Sequence, residues 1–234
     1  MTELILASRP SDLTREAAEW LSREVSWAIA ERGRCALCLA GGRTPEPVYR
    51  ALASGSAIDW SRVEVYFGDE RAVPPDHRDS NYHMVHEALL SRTSIPAGQV
   101  HRMEAERVDR DAAALDYERR LPPRLDVLFL GMGQDGHTAS LFPGSAALDE
   151  RERRVVAVIG AKPPAGRLTI TPPVIDGARS VAVVATGDDK APMVARALEG
   201  PQDPKAVPVQ LARRGAWFLD HAAAALLTSP KVAR

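Results

Sequence analysis

Short apolar runs bounded by turn residues alternate along this chain with longer stretches of helical period, and that alternation restricts the fold to layered α/β arrangements. Leu4-Ile5-Leu6-Ala7 reads as a strand. Ser11 or Asp12 can then cap a long helix carrying Leu13, Ala17, Leu21, Val25 and Ile29 at steps of four, which Gly33 ends. A strand over Cys35 to Ala40 runs into a helix with Pro45 in its first turn and Val48 and Leu52 facing inward. Val63 to Phe67 is the next strand. Helices are expected over about Ser80 to Ser91 and Val108 to Leu121, and strands over Leu125 to Phe129, Arg154 to Ile159, Arg167 to Thr171 and Val181 to Ala185. A helix through Leu198, a strand over Ala216 to Leu219 and a closing helix over Ala222 to Leu227 complete the pattern, with a loop at Lys162 to Gly166 and a fraying tail from Ser229. The expectation is an α/β chain, one Rossmann-like domain over residues 1–234, with a mainly parallel sheet and helices on both faces.

Such sheets bind ligands beyond the carboxyl ends of their strands. Four polar or glycine-rich segments fall at those exits: Gly41 to Thr44, Gly68 to Arg71, Gly131 to His137, and Gly187 to Lys190. Their convergence in one crevice is the central expectation. A net charge of −1, from 30 basic and 31 acidic residues, supplies no global field for nucleic acid or an anionic membrane, so any anion must be held by a local cluster. No stretch has the length and apolarity of a membrane span, and Met1-Thr2-Glu3 does not open a signal segment, which points to a cytoplasmic protein.

The turn from Gly131 to Gly144 presents a carboxylate, Asp135, and an imidazole, His137, two residues apart. Glycines let backbone approach a ligand closely, and histidine titrates near neutrality. Gly131-x-Gly133-x-x-Gly136 also matches a dinucleotide fingerprint, but Phe142-Pro143-Gly144 would break the helix that fingerprint needs. Cys35 and Cys38 imitate a redox or metal motif; on a strand, positions three apart face opposite ways, so both are expected as buried hydrophobes. His83 and His86 share a helical face without a third ligand at convincing spacing, and are read as a surface pair rather than a metal site.

Anion binding has a local supply. Backbone amides of Gly41 and Gly42, the start of the helix near Pro45, and the side chains of Arg43, Arg71 and Lys190 all sit at strand exits. A monophosphate fits this set; no G-x-x-x-x-G-K-[ST] is present for a triphosphate.

Gly41-Gly42-Arg43-Thr44-Pro45, Phe67-Gly68-Asp69-Glu70-Arg71 with Ser80-Asn81-Tyr82, the Leu130 to Gly144 block, Arg167-Leu168-Thr169-Ile170-Thr171, Gly187 with Lys190, and Trp217-Phe218-Leu219-Asp220 together resemble the 6-phosphogluconolactonases. The resemblance implies hydrolysis of 6-phospho-D-glucono-1,5-lactone in the pentose phosphate pathway, with no cofactor or metal and a sugar-phosphate lactone as the one small-molecule partner. It implies His137 as general base, Asp135 or Asp69 orienting water or the imidazole, and amides of the glycine turn stabilising the oxyanion. Arg71 and Lys190, with Gly41, Gly42, Arg43 and Thr44, would hold the 6-phosphate, and Arg167 is a further contact. A monomer or weak homo-oligomer is expected. The alternative within the same superfamily is a glucosamine-6-phosphate deaminase/isomerase, whose histidine turn carries a glutamate where this chain has Phe142. A non-catalytic sugar-phosphate sensor is a third reading; the residues before the first glycine loop leave no room for a separate DNA-binding module. Arg43, where many relatives carry serine, and Pro208-Val209-Gln210-Leu211 depart from the family pattern.

Overall fold

The computed structural model describes residues 2–55, 58–161 and 163–228. Its strands are β1 (Glu3–Ala7), β2 (Cys35–Leu39), β3 (Val63–Phe67), β4 (Asp69–Arg71), β5 (Val127–Gly131), β6 (Val155–Ile159), β7 (Gly166–Ile170), β8 (Ser180–Ala185) and β9 (Ala216–Asp220). Its α-helices are α1 (Pro10–Arg32), α2 (Pro45–Gly55), α3 (Asn81–Ala88), α4 (Arg110–Arg120), α5 (Pro172–Gly177) and α6 (Ala191–Leu198). Six strands form one all-parallel sheet in the order β1-β9-β8-β5-β2-β3. Every residue of β2 is buried, as expected of a central strand covered by helices on both faces.

Strand–helix connections return each chain to the same edge, so the exits of β2, β3, β5 and β8 lie side by side there. Two buried tyrosines fix the helices relative to those exits. Tyr49 of α2 donates its hydroxyl hydrogen to the Ala40 carbonyl at 2.8 Å, and the Phe67 amide donates to the Tyr117 hydroxyl of α4 at 2.8 Å. Tyr49 also packs edge-on against Phe129 of β5.

The central sheet is parallel as expected, and beside it stands a second, antiparallel sheet that the sequence did not announce. Asp69–Arg71, read in the sequence as the polar exit of β3, is itself a strand, and it joins the segments near 155 and 167 in an antiparallel sheet of order β4-β7-β6. Gly68 joins the two sheets: its amide donates to the Leu39 carbonyl at 3.0 Å and its carbonyl accepts from the Ile170 amide at 2.9 Å. The strand exit of β3 therefore turns directly into the small sheet.

Two local expectations are corrected. Arg9, not Ser11 or Asp12, is the residue before α1; its guanidinium pairs with Asp12, and Pro10, with its preset φ, opens the helix. Gly33 ends that helix at φ 77, as anticipated. Residues 221–226 form turns rather than a closing helix, with Asp220 accepting from the Ala223 amide at 2.7 Å. The loop expected at 162–166 has Lys162 outside the described residues, as does the tail from Ser229.

Both cysteines are fully buried, and burial pushes both thiols well above their ordinary value. Cys35 lies near Asp126, Arg32 and Glu24, whereas Cys38 feels Asp69, as opposite faces of one strand require. Among the described residues, no group of three or more His, Cys, Asp or Glu is placed to share a metal ion, and no helix is long and apolar enough to cross a membrane.

Candidate active site

The exit of β5 enters a turn that positions an acid and a base. Gly136 adopts φ 82, which a side chain disfavours, and the Gly136 amide donates to the Gly133 carbonyl at 3.1 Å. The Gly133 amide closes the turn onto the His137 carbonyl at 2.9 Å. Gly133 is obligatory for packing as well: a Cβ there would stand 2.1 Å from the His137 ring. No helix follows, as Phe142-Pro143-Gly144 foretold.

Asp135 Oδ1 lies 2.5 Å from His137 Nδ1 and also accepts from the His137 amide at 3.2 Å. The bond to His137 holds the Asp135 carboxyl down at about 2. An ionised carboxylate only accepts, so Nδ1 carries the hydrogen, and in the neutral ring Nε2 presents its lone pair. The imidazole side chain is 32% exposed, open enough to meet solvent or substrate, and Phe142 packs against it at 4.9 Å between ring centroids.

A prediction follows from the depressed carboxyl. Its ordinary value is 3.8 and its folded value about 2, so ionised Asp135 adds stability that is complete above about pH 4 and is lost as the pH falls toward 2. Urea unfolding is expected to show Asp135→Asn less stable than the parent near neutrality, with the gap narrowing through that acid window. A gap independent of pH would break the link.

Asp69 is placed differently from expectation. It is buried and makes no bond to His137; Asn81 Nδ2 donates to its Oδ1 at 2.9 Å and the Ser140 hydroxyl donates to its Oδ2 at 2.6 Å. Ser140, three residues beyond the base, also donates its amide to Thr169 Oγ1 at 3.1 Å. Asp69 and Thr169 are register partners across β4 and β7. Between base and clip, Ala139 takes φ 48, a left-handed conformation costing about 1–2 kcal/mol for a residue with a side chain.

The next same-face pair on those strands is Arg71 opposite Arg167. Arg71 donates through Nη1 to the Asp79 carbonyl at 2.6 Å, and its Nε is buried without a hydrogen-bond partner among the described residues. Arg167 donates through Nε to the Pro164 carbonyl at 2.9 Å. Burial and the neighbouring Arg71 both lower the Arg167 pKa, which is what two confronted guanidinium groups produce in a half-dry setting.

On the other flank, Asp189 bridges Lys190 Nζ at 3.0 Å and Gln134 Nε2 at 2.5 Å, tying the β8 exit to the histidine turn. Thr44 and Thr186 share a hydroxyl contact at 3.1 Å, joining the β2 and β8 exits. Gly41 makes room for Asn81, whose Oδ1 would lie 1.8 Å from an added Cβ. Gly42 and Arg43 are exposed, and Arg43 makes no bond among the described residues.

Ser140, Asn81, Thr169 and Glu70 lie within the blocks that carry the family resemblance, but sequence reasoning gave them no role. Glu70 is buried, which raises its pKa, and it accepts from the amides of Arg71, Asn81 and Tyr82 and from the Ser80 hydroxyl, anchoring the start of α3. The amides of Gly133, Gly136 and His137, expected among the oxyanion donors, are instead engaged within the turn itself.

A parallel sheet whose exits gather a carboxylate-bound imidazole between cationic flanks defines an α/β enzyme working at the carboxyl edge. The family model described as glucosamine-6-phosphate isomerases/6-phosphogluconolactonase matches residues 8–219. A 6-phosphogluconolactonase of Rattus norvegicus is 41% identical over 95% of this chain and 93% of its own length, and one of Nostoc sp. is 37% identical over 92% and 94%. The solved structure of 6-phosphogluconolactonase from Trypanosoma cruzi superposes at a TM-score of 0.86, with 27% identity over 98% of each chain. The chain belongs to the glucosamine-6-phosphate isomerase/6-phosphogluconolactonase family.

Proposed function

We propose that this chain hydrolyses 6-phospho-D-glucono-1,5-lactone to 6-phosphogluconate in the pentose phosphate pathway, with His137 as general base. The protein is a lactone-hydrolysing enzyme. The observation that carries the mechanism is the attachment of the histidine turn, through Ser140, to the small sheet that bears Arg71 opposite Arg167.

Nε2 of His137 takes a proton from water as its oxygen attacks the lactone carbonyl, while Asp135 holds Nδ1–H and stabilises the imidazolium that forms. The tetrahedral intermediate collapses by breaking the bond to the ring oxygen. That oxygen leaves with the proton returned from Nε2, so the base is regenerated and the product is a carboxylic acid, which then ionises. A δ-lactone is an activated ester, and a positioned neutral imidazole is sufficient for this step.

The 6-phosphate is assigned to Arg71 and Arg167, with Lys190, Thr44 and the Gly41-Gly42 backbone beside them. Guanidinium forks match phosphate oxygens, and Nε of Arg71, which has no partner among the described residues, is a donor suited to that anion. Arg43, exposed and making no bond among the described residues, adds to the same charge. Asp69 is assigned to holding the turn rather than to orienting water. One catalytic domain acting in the cytoplasm, as a monomer or weak homo-oligomer and without cofactor, completes the reading.

The test is hydrolysis of freshly generated phosphogluconolactone, corrected for spontaneous ring opening, run beside ammonia release from glucosamine 6-phosphate. Lactone turnover without ammonia is the expected result. Ammonia release with no lactone turnover would transfer the chain to the deaminase branch.

A further inference from the structure

We infer that Ser140 is a positioning residue that sets the span between the His137 imidazole and the Arg71–Arg167 pair, so that grip on the phosphate seats the lactone carbonyl at the base. The inference rests on the roles proposed above for His137 and the two arginines.

Ser140 is buried, and both of its donors are committed to the small sheet: the amide to Thr169 Oγ1 at 3.1 Å and the hydroxyl to Asp69 Oδ2 at 2.6 Å. These acceptors face each other across β4 and β7, and the arginine pair is the next same-face step, about 7 Å along the strands. In the opposite direction only Thr138 and Ala139 separate Ser140 from the base, and Ala139 is held at φ 48. A left-handed residue at that point relaxes unless both sides are fixed. Ser140 fixes one side, and the Gly133–His137 backbone bond fixes the other. Asp69 cannot follow a moving turn, because Asn81 donates to both its carboxylate and its carbonyl. Thr169 is restrained likewise by donating its hydroxyl hydrogen to the Ile170 carbonyl at 3.0 Å.

A substrate carrying phosphate is tethered at its far end and depends on this span. An unphosphorylated lactone is not, and settles at the base without it. Placement of this kind contributes to turnover rather than to affinity.

The experiment compares Ser140→Ala, Thr169→Val and Arg71→Ala on phosphogluconolactone and on unphosphorylated gluconolactone. Ser140→Ala is expected to lower kcat on the phosphorylated lactone by about tenfold to a hundredfold with KM within about threefold of the parent. The preference ratio of kcat/KM, phosphorylated over unphosphorylated, falls with it by about tenfold or more. Thr169→Val, which keeps shape and removes the acceptor, repeats the pattern more weakly and carries the test should Ser140→Ala fail to fold. Equal losses on both substrates for these two variants, or no change in the ratio, overturn the inference. Arg71→Ala separates the levels: a KM rise confined to the phosphorylated lactone upholds the underlying site assignment, and an equal effect on both substrates overturns that assignment and this inference with it.

Discussion

Replacing His137 with alanine is expected to lower kcat for phosphogluconolactone by about 10²–10⁴-fold, the usual contribution of a positioned general base. KM should move little, because the groups assigned to the phosphate lie on other segments. The geometry makes a specific demand on the replacement. Asp135 orients the ring through Nδ1, so a glutamine at 137, which can keep a donor toward Asp135, still offers no basic nitrogen where Nε2 stood. His137→Gln should therefore be nearly as inactive as His137→Ala while folding normally. Single-turnover hydrolysis, corrected for spontaneous opening, measures both. Residual turnover within a fewfold of the parent would place the base elsewhere.

Removing Arg71 is expected to raise KM for the phosphorylated lactone by about tenfold to a hundredfold, the range for loss of charge-assisted hydrogen bonds in a partly buried site. The Arg71 Nε donor, buried and without a partner among the described residues, is the group whose loss matters most. Lysine at this position restores charge but not the planar fork, so Arg71→Lys should recover only part of the affinity. Lys190→Ala is expected to be milder, since the Lys190 ammonium is already partnered by Asp189 and the phosphate gains less from it. Initial-rate kinetics on both lactones distinguish these cases. A larger effect at Lys190 than at Arg71 would shift the phosphate toward the β8 exit.

The parallel sheet was legible because its strands are near-continuous apolar runs and its helices keep a clear period, from Leu13 to Ile29 above all. The small sheet was not. Asp69-Glu70-Arg71 is three polar residues, which pattern alone reads as a loop, and only its pairing with Leu168 and its neighbours makes it a strand. The same pairing removed β6 and β7 from the expected alternation. Ala222 to Leu227 has the composition of a helix, yet Asp220 uses its carboxylate on the Gly187 and Ala223 amides and the segment settles into turns.

At the site, Asp135 and His137 could be found because both titrate and a short glycine turn brings them together. Ser140, Asn81 and Thr169 carry no such mark. Ser140 reaches partners 29 and 71 positions away in sequence, a relation that no local window contains. Asn81 offered one clue, its place directly after the Ser80 cap, but its contact with Asp69 depends on a strand that local pattern does not reveal.

The full enclosure of β2 bears on how this protein meets oxidants. With Cys35 and Cys38 out of solvent and turned to opposite faces, neither sulfur ionises readily and the two cannot join without the strand leaving its sheet. Thiol-directed reagents thus have no handle on the native enzyme. They act on chains that have opened, where a newly formed crosslink or sulfinate bars return to the sheet, so cysteine oxidation works as a ratchet on lost molecules and leaves the working ones untuned.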